Sequence, residues 1–326
     1  MDNLIECAGD PRTMGKCQGL AFRGAVRDAL ECGGVRLERS WLPGLMPLTA
    51  GRVLGEGAGR EIIRHYTHLS ERMAGIARGT GVSLEAVMTL SLAGSGSGAG
   101  RAGLLFPSVA ALGGGAEAKG PVLARGLAAR GDGALQWIVR KSCPEVGFRS
   151  VEVTLPWLAS AVAGVNEEGV AVVVAPLGTA SVEDGDLRGR AAGAGPGAEL
   201  LVQECLQRFA DLEGCIDWCS KRPASGELAL ILADASGGMA AVEMRGEERR
   251  VVGPGEGVLG RVAKGDLADE LRAGQRAEGG SKLEGLADAI PDAAGGLVVL
   301  DSAQRSLCVA LRSEGASAAS LGLIQL

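Results

Sequence analysis

The sequence predicts an α+β fold, because segments with helical periodicity and short β-rich segments occur in separate blocks along the chain. Residues 60–77 place apolar side chains at alternating spacings of four and three, which is the stripe of an amphipathic helix. Between residues 107 and 176 the period shortens, and short β-rich pieces alternate with Gly, Pro and charged residues. Strands in blocks, with helices between the blocks, favour a layered α+β architecture over a strictly alternating parallel sheet.

The predicted elements run from helices early in the chain to strands late in it. They are helices 12–39, 60–77 and 83–92; strands 107–112, 120–125, 135–140, 149–154, 159–165 and 170–176; helices 201–212 and 213–221; strands 227–234, 239–244 and 248–252; helices 265–273 and 281–289; and strands 296–301 and 306–312. The Gly-rich stretches 95–103, 113–120 and 183–197 are predicted to be linkers.

The composition indicates an ordinary globular core and excludes several classes of partner. Hydrophobic residues make up 46% of the 326 residues but aromatic residues only 3%, so stacking platforms for nucleic-acid bases are not expected. The net charge of −6 gives no basic footprint for DNA or RNA. The apolar runs are too short to cross a bilayer, and MDNLIECAGD lacks the features of a signal peptide. We therefore expect a cytoplasmic protein that binds neither nucleic acid nor membrane, and its many Gly and Ala residues are typical of a high-GC bacterial coding sequence.

Histidine and cysteine do not predict a metal or cofactor site. The two histidines, His65 and His68, lie on the predicted helix 60–77, with His65 beside the apolar stripe and His68 further towards solvent. A zinc site needs three or four ligands, and no Cys or acidic cluster accompanies this pair. The eight cysteines show no framework spacing, and Cys215 and Cys219 are expected to be buried small side chains on a helix. We expect reduced thiols, no metal and no cofactor.

Two segments predict β-hairpins whose turns each depend on one polar side chain. In VAGVNEEGVAVVV, Gly164 and Gly169 bracket a turn in which Asn166 can adopt unusual backbone angles and bond locally. In ALILADASGGMAAVEMRG, Asp234 and the Gly-Gly pair after it turn one strand into the next. We expect these four residues to have structural roles.

Four short segments stand in an order that is typical of a known family. They are GDPRTMGKCQG (9–19), MAGIARGTGVSLEAVMTL (73–90), GVNEEG (164–169) and LADASGGMAAVE (232–243). Together they resemble the acyl-CoA:6-aminopenicillanic acid acyltransferase family, within the N-terminal-nucleophile (Ntn) hydrolase superfamily. The resemblance implies a four-layer αββα sandwich, with residues 1–105 as an N-terminal, propeptide-like helical segment and residues 106–326 as the core, packed as one globular unit. It also implies a precursor that cleaves itself before a Cys, whose free amine and thiol then carry acyl transfer or amide hydrolysis.

The positions that carry this chemistry in the family do not match. Where the family has Cys-Thr at the cleavage site, this chain has Phe106 and Pro107, followed by Ser108. The family's Arg-Asn-x-Asp-Trp stretch corresponds to RGLAA, which keeps Arg125 and has no acid. Its Thr-Asn-His segment corresponds to LGR around Gly260, which has no amide side chain. The nucleophile, the orienting acid and the oxyanion donor are all missing, so we expect no catalytic residue.

The preferred hypothesis is a catalytically degenerate relative, a pseudoenzyme that stays uncleaved and acts as a ligand-binding, scaffolding or partner protein. A pocket with Phe106 and Arg125 at its mouth could hold a small acyl or carboxylate ligand. The partner could be a second copy of the chain or an active paralogue. Arg125 could equally be a surface strand residue.

Two alternatives stay open. One is an active amide hydrolase or acyltransferase that uses a rebuilt site on small N-acyl or thioester substrates, with Ser108 or Cys143 as the nucleophile. Arg140 and Lys141 could lower the pKa of the Cys143 thiol, although Pro144 suggests the end of a strand. The other is an unrelated α+β protein without two stacked sheets.

Overall fold

The computed structural model describes residues 3–32, 59–94, 109–112, 121–128, 137–176, 196–224, 226–254, 294–311 and 320–326. Its helices are α1 (Pro11–Ala21), α2 (Arg23–Cys32), α3 (59–65), α4 (Thr67–Thr80), α5 (Leu84–Gly94), α6 (Leu200–Arg208) and α7 (Leu212–Lys221). Its strands are β1 (Leu4–Gly9), β2 (Val109–Leu112), β3 (Val122–Ala128), β4 (Ile138–Pro144), β5 (Ser150–Thr154), β6 (Ala163–Asn166), β7 (Ala171–Pro176), β8 (Glu227–Ala233), β9 (Met239–Arg245), β10 (Glu248–Val252), β11 (Ala294–Asp301), β12 (Ser306–Leu311) and β13 (Ser320–Gln325). The predicted helices 265–273 and 281–289 lie outside the described residues.

The described strands form two sheets. The larger sheet has eight strands in the order β1-β4-β5-β6-β7-β8-β9-β10, in which β1 runs parallel to β4 and the other neighbours are antiparallel. The smaller sheet has five antiparallel strands in the order β13-β12-β11-β3-β2. This arrangement of helices and two mainly antiparallel sheets confirms the predicted α+β class.

Both faces of the larger sheet are buried at its central strand β7. Ala171 and Val173 of β7 pack in a core between the two sheets, together with Leu123 of β3. Val172 and Val174 pack in a second core, with residues of α4, α6 and α7. Because successive side chains of a strand point to opposite faces, the layers are helices, larger sheet and smaller sheet, in that order. These are three of the layers expected for an αββα sandwich.

Sequence periodicity did not predict β1 or β13. β1 lies at the edge of the larger sheet, and Cys7 is the one side chain of this strand that is fully buried. An edge strand with one buried side chain carries little of the alternating apolar pattern that identifies strands. The parallel pairing, with Leu4 opposite Val139, therefore makes the first residues of the chain part of the larger sheet.

The predicted helix 60–77 is interrupted at one residue. Tyr66 has φ −131° and ψ 49°, which separates α3 from α4. Its ring is fully buried, and its hydroxyl donates a hydrogen bond to the carbonyl oxygen of Pro223 at 2.7 Å. Tyr66 is thus held by a partner distant in sequence, which helical periodicity cannot reveal.

Helices α1 and α4 pack backbone against backbone through glycines. A Cβ atom at Gly15 would overlap the carbonyl oxygen of Arg72, and one at Gly79 would lie 2.6 Å from the carbonyl oxygen of Lys16. Real Cβ contacts do not come this close, so larger residues at these positions force the helices apart. The glycines of GDPRTMGKCQG and MAGIARGTG thereby set the distance between the two helices.

We expect Gly15→Ala to lower the free energy of unfolding by about 1–3 kcal/mol, because the added methyl overpacks the contact between α1 and α4. Gly24→Ala in α2 is the matched control, since Gly24 has no atom within 4 Å of the added carbon. This control should raise stability by up to about 1 kcal/mol, because alanine is the better helix former. Urea unfolding of both variants measures the difference, and equal effects would contradict the contact.

Candidate functional site

Arg125 lies inside the protein, between the two sheets. It occupies the middle of β3, opposite Val109 of β2 and Val298 of β11. Leu123 and Leu127, two residues before and after it, belong to the core between the sheets, so Arg125 shares their face. Its side chain is 0% exposed, and Nη1 donates to the carbonyl oxygen of Val162 at 2.8 Å. The alternative that Arg125 is a surface strand residue is therefore wrong.

Burial changes the electrostatics of Arg125. Desolvation lowers the pKa of its guanidinium to about 9, which still leaves the group charged at neutral pH. A cation that has lost its water shell attracts an anion more strongly than an exposed one, because the surrounding dielectric constant is lower. The planar guanidinium also matches the two oxygens of a carboxylate. The guanidinium of Arg125 therefore has the charge and the shape that suit a carboxylate.

The other residues of the predicted degenerate site, Phe106, Pro107, Ser108 and Gly260, lie outside the described residues. One connection to them is nevertheless fixed by the pairing of strands. β2 begins at Val109, directly after Ser108 in the sequence, and Val109 is the pairing partner of Arg125. Residues 106–108 are thus followed immediately in the sequence by the strand beside Arg125.

Cys143, the second nucleophile considered, has an unfavourable environment. It lies near the end of β4, which ends at Pro144 as the sequence suggested. Burial and the nearby Glu6 raise the pKa of its thiol, against the opposing charges of Arg149 and Lys141. The expectation that Arg140 would help to lower this pKa is wrong, because Arg140 points to the opposite face of the sheet.

The two hairpin motifs attach helices to the larger sheet. Asn166 Oδ1 accepts hydrogen bonds from the backbone N–H groups of Glu168 and Val170, at 3.1 and 2.9 Å. Its Nδ2 donates to the carbonyl oxygens of Leu206 and Phe209 at the end of α6. Gly169 completes the turn with φ +89°, and Gly164 of the same hairpin pairs with β5 and β7. One side chain therefore shapes the turn and caps the helix that covers it.

Asp234 plays the corresponding part in the second hairpin. Its Oδ1 accepts from the backbone N–H groups of Ser236 and Gly238, both at 3.0 Å. Its Oδ2 accepts from the backbone N–H of Leu212, the first residue of α7, at 3.2 Å. These bonds hold the pKa of the Asp234 carboxyl below its ordinary value, although burial alone would raise it. The carboxylate is committed to the turn and to the start of α7.

A buried charged network, which sequence analysis missed, lies between the larger sheet and helices α1, α4 and α6. Arg140 Nε donates to Glu152 Oε2 at 2.7 Å, and both side chains are 0% exposed. Arg140 also donates to the side-chain oxygens of Gln18, at 2.7 Å, and Gln203, at 2.8 Å. Gln203 closes the ring by donating to Glu152 Oε1 at 2.6 Å. The network joins one residue of α1 and one of α6 to two neighbouring strands.

Arg72 of α4 adds a second cation to this network. Its Nη2 donates to Ser142 Oγ at 3.0 Å, and Ser142 donates to Glu152 Oε2 at 3.1 Å. Burial lowers the pKa of Arg72 to about 9, and the charge of Arg140 acts in the same direction. The three charged side chains leave one uncompensated positive charge in the interior. The available signal was that Arg140 and Glu152 belong to neighbouring predicted strands, 135–140 and 149–154. The structure places them opposite each other in register.

The helical periodicity predicted that His68 points towards solvent, but in the structure its side chain lies against α6. Its Nε2 lies 3.1 Å from Glu204 Oε1, and its side chain is 23% exposed. Burial lowers the pKa of His68 to about 4, with Arg208 and Arg72 acting in the same direction. Glu204 Oε2 is in turn 2.9 Å from Arg208 Nε. The contact joins α4 to α6, and the imidazole is held against the Glu204 carboxylate.

Cys215 and Cys219 are both fully buried, as predicted. In the part of the chain that the structure describes, no group of three or more His, Cys, Asp or Glu side chains is placed to hold a metal ion. None of the helices in the described ranges is long and apolar enough to cross a bilayer.

Comparison with known proteins gives distant structural matches only. No protein-family model and no curated protein matches the sequence. Among solved structures, penicillin V acylase from Agrobacterium tumefaciens is similar, with 16% identity, a TM-score of 0.45, and coverage of 68% of this chain and 86% of that one. Two mutant forms of conjugated bile acid hydrolase from Clostridium perfringens are 9% and 10% identical, with TM-scores of 0.43 and 0.42. These matches cover 68% and 67% of this chain and 92% of each hydrolase chain. Likeness at this level transfers no activity.

Proposed function

We propose that this chain is an unprocessed, ligand-binding relative of the Ntn-type amide hydrolases and acyltransferases, and that Arg125 contacts the carboxylate of a small acyl ligand. The observation that carries the proposal is the fully buried guanidinium of Arg125 between the two sheets. It stands at the position where the family that the sequence resembles has the Arg of its Arg-Asn-x-Asp-Trp stretch. A charge-assisted hydrogen bond from a guanidinium to a carboxylate is stronger in such buried surroundings than in water.

The absence of processing is proposed from the sequence at three separate positions. Phe106 has no nucleophilic atom, and Pro107 follows it in place of Thr. Ala128 stands where the family has the acid that orients the amine, and Gly260 stands where it has the oxyanion donor. Loss of one oxyanion donor alone removes about 3–4 kcal/mol of transition-state stabilisation. Loss of all three groups leaves the family mechanism without an attacking atom.

The surroundings of Arg125 favour an acyl chain as the rest of the ligand. Leu123, Leu127 and Val298 contribute apolar side chains to the same core between the sheets. An aliphatic or aromatic acyl group would be desolvated against such side chains, while its carboxylate pairs with the guanidinium. The proposed ligand class is therefore a small monocarboxylic acid with an apolar tail.

We expect purified protein to stay uncleaved and to give one species at the full mass of 33.0 kDa. Intact mass spectrometry and N-terminal sequencing after prolonged incubation measure this. Two fragments split near residue 105 would overturn the unprocessed state. Hydrolysis of N-acyl substrates that Ser108→Ala or Cys143→Ala abolishes would establish the active enzyme instead.

Ligand binding is tested with thermal unfolding in octanoate and benzoate, with octanamide and benzamide as uncharged controls. At about a hundredfold excess over Kd, we expect the acids to raise the Tm of the wild type by about 2–5 °C. Arg125→Met should lose this shift, and Arg125→Lys should keep part of it, because lysine retains the charge without the planar fork. Arg12→Met removes an exposed arginine and is the matched control. An unchanged shift in Arg125→Met contradicts the proposed contact.

A further inference from the structure

Two free thiols meet where β1 contacts α1, far from Arg125 in the sequence. Cys7 of β1 is 0% exposed, whereas Cys17 of α1 is partly exposed. The Cys17 thiol donates to the carbonyl oxygen of Glu6, the residue before Cys7, at 3.4 Å, and the two thiols interact electrostatically. A thiol that solvent can reach therefore lies beside one that solvent cannot reach.

The buried arginines act on this pair. Arg72 and Arg140 both lie close enough to Cys7 for their positive charges to favour its anionic form, and Arg72 interacts with Cys17 as well. Within the described residues, Nε and Nη1 of Arg72 have no hydrogen-bond partner, although the side chain is only 1% exposed. With one carboxylate, Glu152, against two guanidinium groups, the interior beside the thiols has an excess positive charge. This charge opposes part of the effect that burial has on the Cys7 thiol.

We propose that Cys17 and Cys7 form a peroxide-sensitive thiol pair, in which a hydroperoxide oxidises Cys17 and Cys7 then closes a disulfide between α1 and β1. This modification site is independent of the proposed ligand function. The oxidant is a hydroperoxide, ROOH, which the protein does not itself supply. The overall reaction is two thiols and ROOH giving one disulfide, ROH and water.

The first step takes place at Cys17. Its thiolate sulfur attacks the terminal peroxide oxygen, the O–O bond breaks, and the leaving alkoxide takes up a proton to give ROH. Cys17 becomes a sulfenic acid. Exposure decides the order, because peroxide reaches Cys17 from solvent, while burial raises the pKa of Cys7 to about 12 and keeps that thiol protonated.

The second step takes place at Cys7. Its sulfur attacks the sulfur of the Cys17 sulfenic acid, the S–O bond breaks, and the departing hydroxide leaves as water with the Cys7 proton. The disulfide ties the edge strand β1 to the helix that covers it. A reductant such as a dithiol reverses the reaction through a mixed disulfide.

The chain offers an internal control for proximity without access. Cys205 and Cys219 have sulfur atoms 3.5 Å apart between α6 and α7, and both are 0% exposed. If closeness alone were enough, this pair would oxidise as readily as Cys7 and Cys17. If access to peroxide is also required, only Cys7 and Cys17 should react.

The test treats the folded protein with hydrogen peroxide and then alkylates the remaining thiols under denaturing conditions. We expect a mass loss of two hydrogen atoms, and tryptic peptides 1–12 and 17–23 joined by a disulfide that dithiothreitol cleaves. Cys17→Ser should abolish the disulfide, and Cys7→Ser should leave a Cys17 sulfenic acid that dimedone traps. Circular dichroism checks that both variants are folded.

Three outcomes would overturn the proposal. The first is a disulfide between Cys205 and Cys219 in place of the expected one, and the second is oxidation of Cys17 to sulfinic acid with no disulfide. The third is no reaction of the protein under conditions in which the same peroxide oxidises a small-molecule thiol. Arg72→Gln removes one of the buried charges and should slow disulfide formation. The two cysteine variants decide the proposal even if this arginine variant does not fold.

Discussion

Glu152→Gln should be the most destabilising of the substitutions considered, lowering the free energy of unfolding by about 3–5 kcal/mol. The substitution keeps the shape of the side chain and removes its charge, so Arg140 and Arg72 are left buried without a carboxylate. Burial alone would raise the pKa of the Glu152 carboxyl, but the two arginines, with Ser150 and Gln203, hold it below its ordinary value. The native state therefore uses the ionised form, which the glutamine cannot supply. Urea unfolding followed by circular dichroism measures the loss.

The exposed ion pair between Arg149 and Glu167 provides the matched control. Its two atoms are 2.7 Å apart, like those of the buried pair, but the side chains are 60% and 25% exposed. Glu167→Gln should cost about 0–1 kcal/mol, because solvent screens this interaction. If the two glutamine variants were equally destabilised, burial would not be the cause. Replacing both Arg140 and Glu152 by apolar residues should recover part of the loss, because no charge is then left unpaired.

Most of the fold was predictable because its signals are local. The continuous apolar runs of β7 and β8 and the turn residues Asn166 and Asp234 can all be recognised within a short window of sequence. β1 was missed because an edge strand with one buried side chain has almost no periodicity. The break at Tyr66 was missed because its hydroxyl bonds to Pro223, which is distant in the sequence.

The site was less predictable, because burial of a charged residue depends on which face of a strand it occupies. Arg125 was recognised as a candidate, but its position between the sheets follows only from the pairing of β3 with β11. Arg140 was assigned to the surroundings of Cys143, whereas it serves Glu152 on the opposite face of the sheet. A one-residue error in strand register moves every side chain of the strand to the other face of the sheet. Sequence analysis could not supply that register.

Glu199→Gln is expected to stabilise the protein at neutral and alkaline pH. Glu199 stands at the start of α6, is 4% exposed, and its Oε2 has no hydrogen-bond partner among the described residues. Desolvation raises the pKa of its carboxyl from 4.5 to about 7. Above that pH the folded protein holds a buried carboxylate whose hydration is lost, which glutamine avoids because it stays neutral.

The sign of the pH dependence follows from the raised pKa. Between pH 4.5 and about 7 the folded state binds more protons at Glu199 than the unfolded state, so this group makes the wild type less stable as the pH rises. The stability gained by Glu199→Gln should therefore be near zero at pH 4.5, increase up to pH 7, and level off at about 3 kcal/mol. Urea unfolding of both proteins across this range measures the difference, in which the opposite contribution of His68 cancels.

Glu167→Gln is the control with opposite sign. The pKa of the Glu167 carboxyl is lowered, so its replacement should make the variant less stable than the wild type above pH 4.5. A pH-independent difference for Glu199→Gln would mean that the carboxyl is not desolvated.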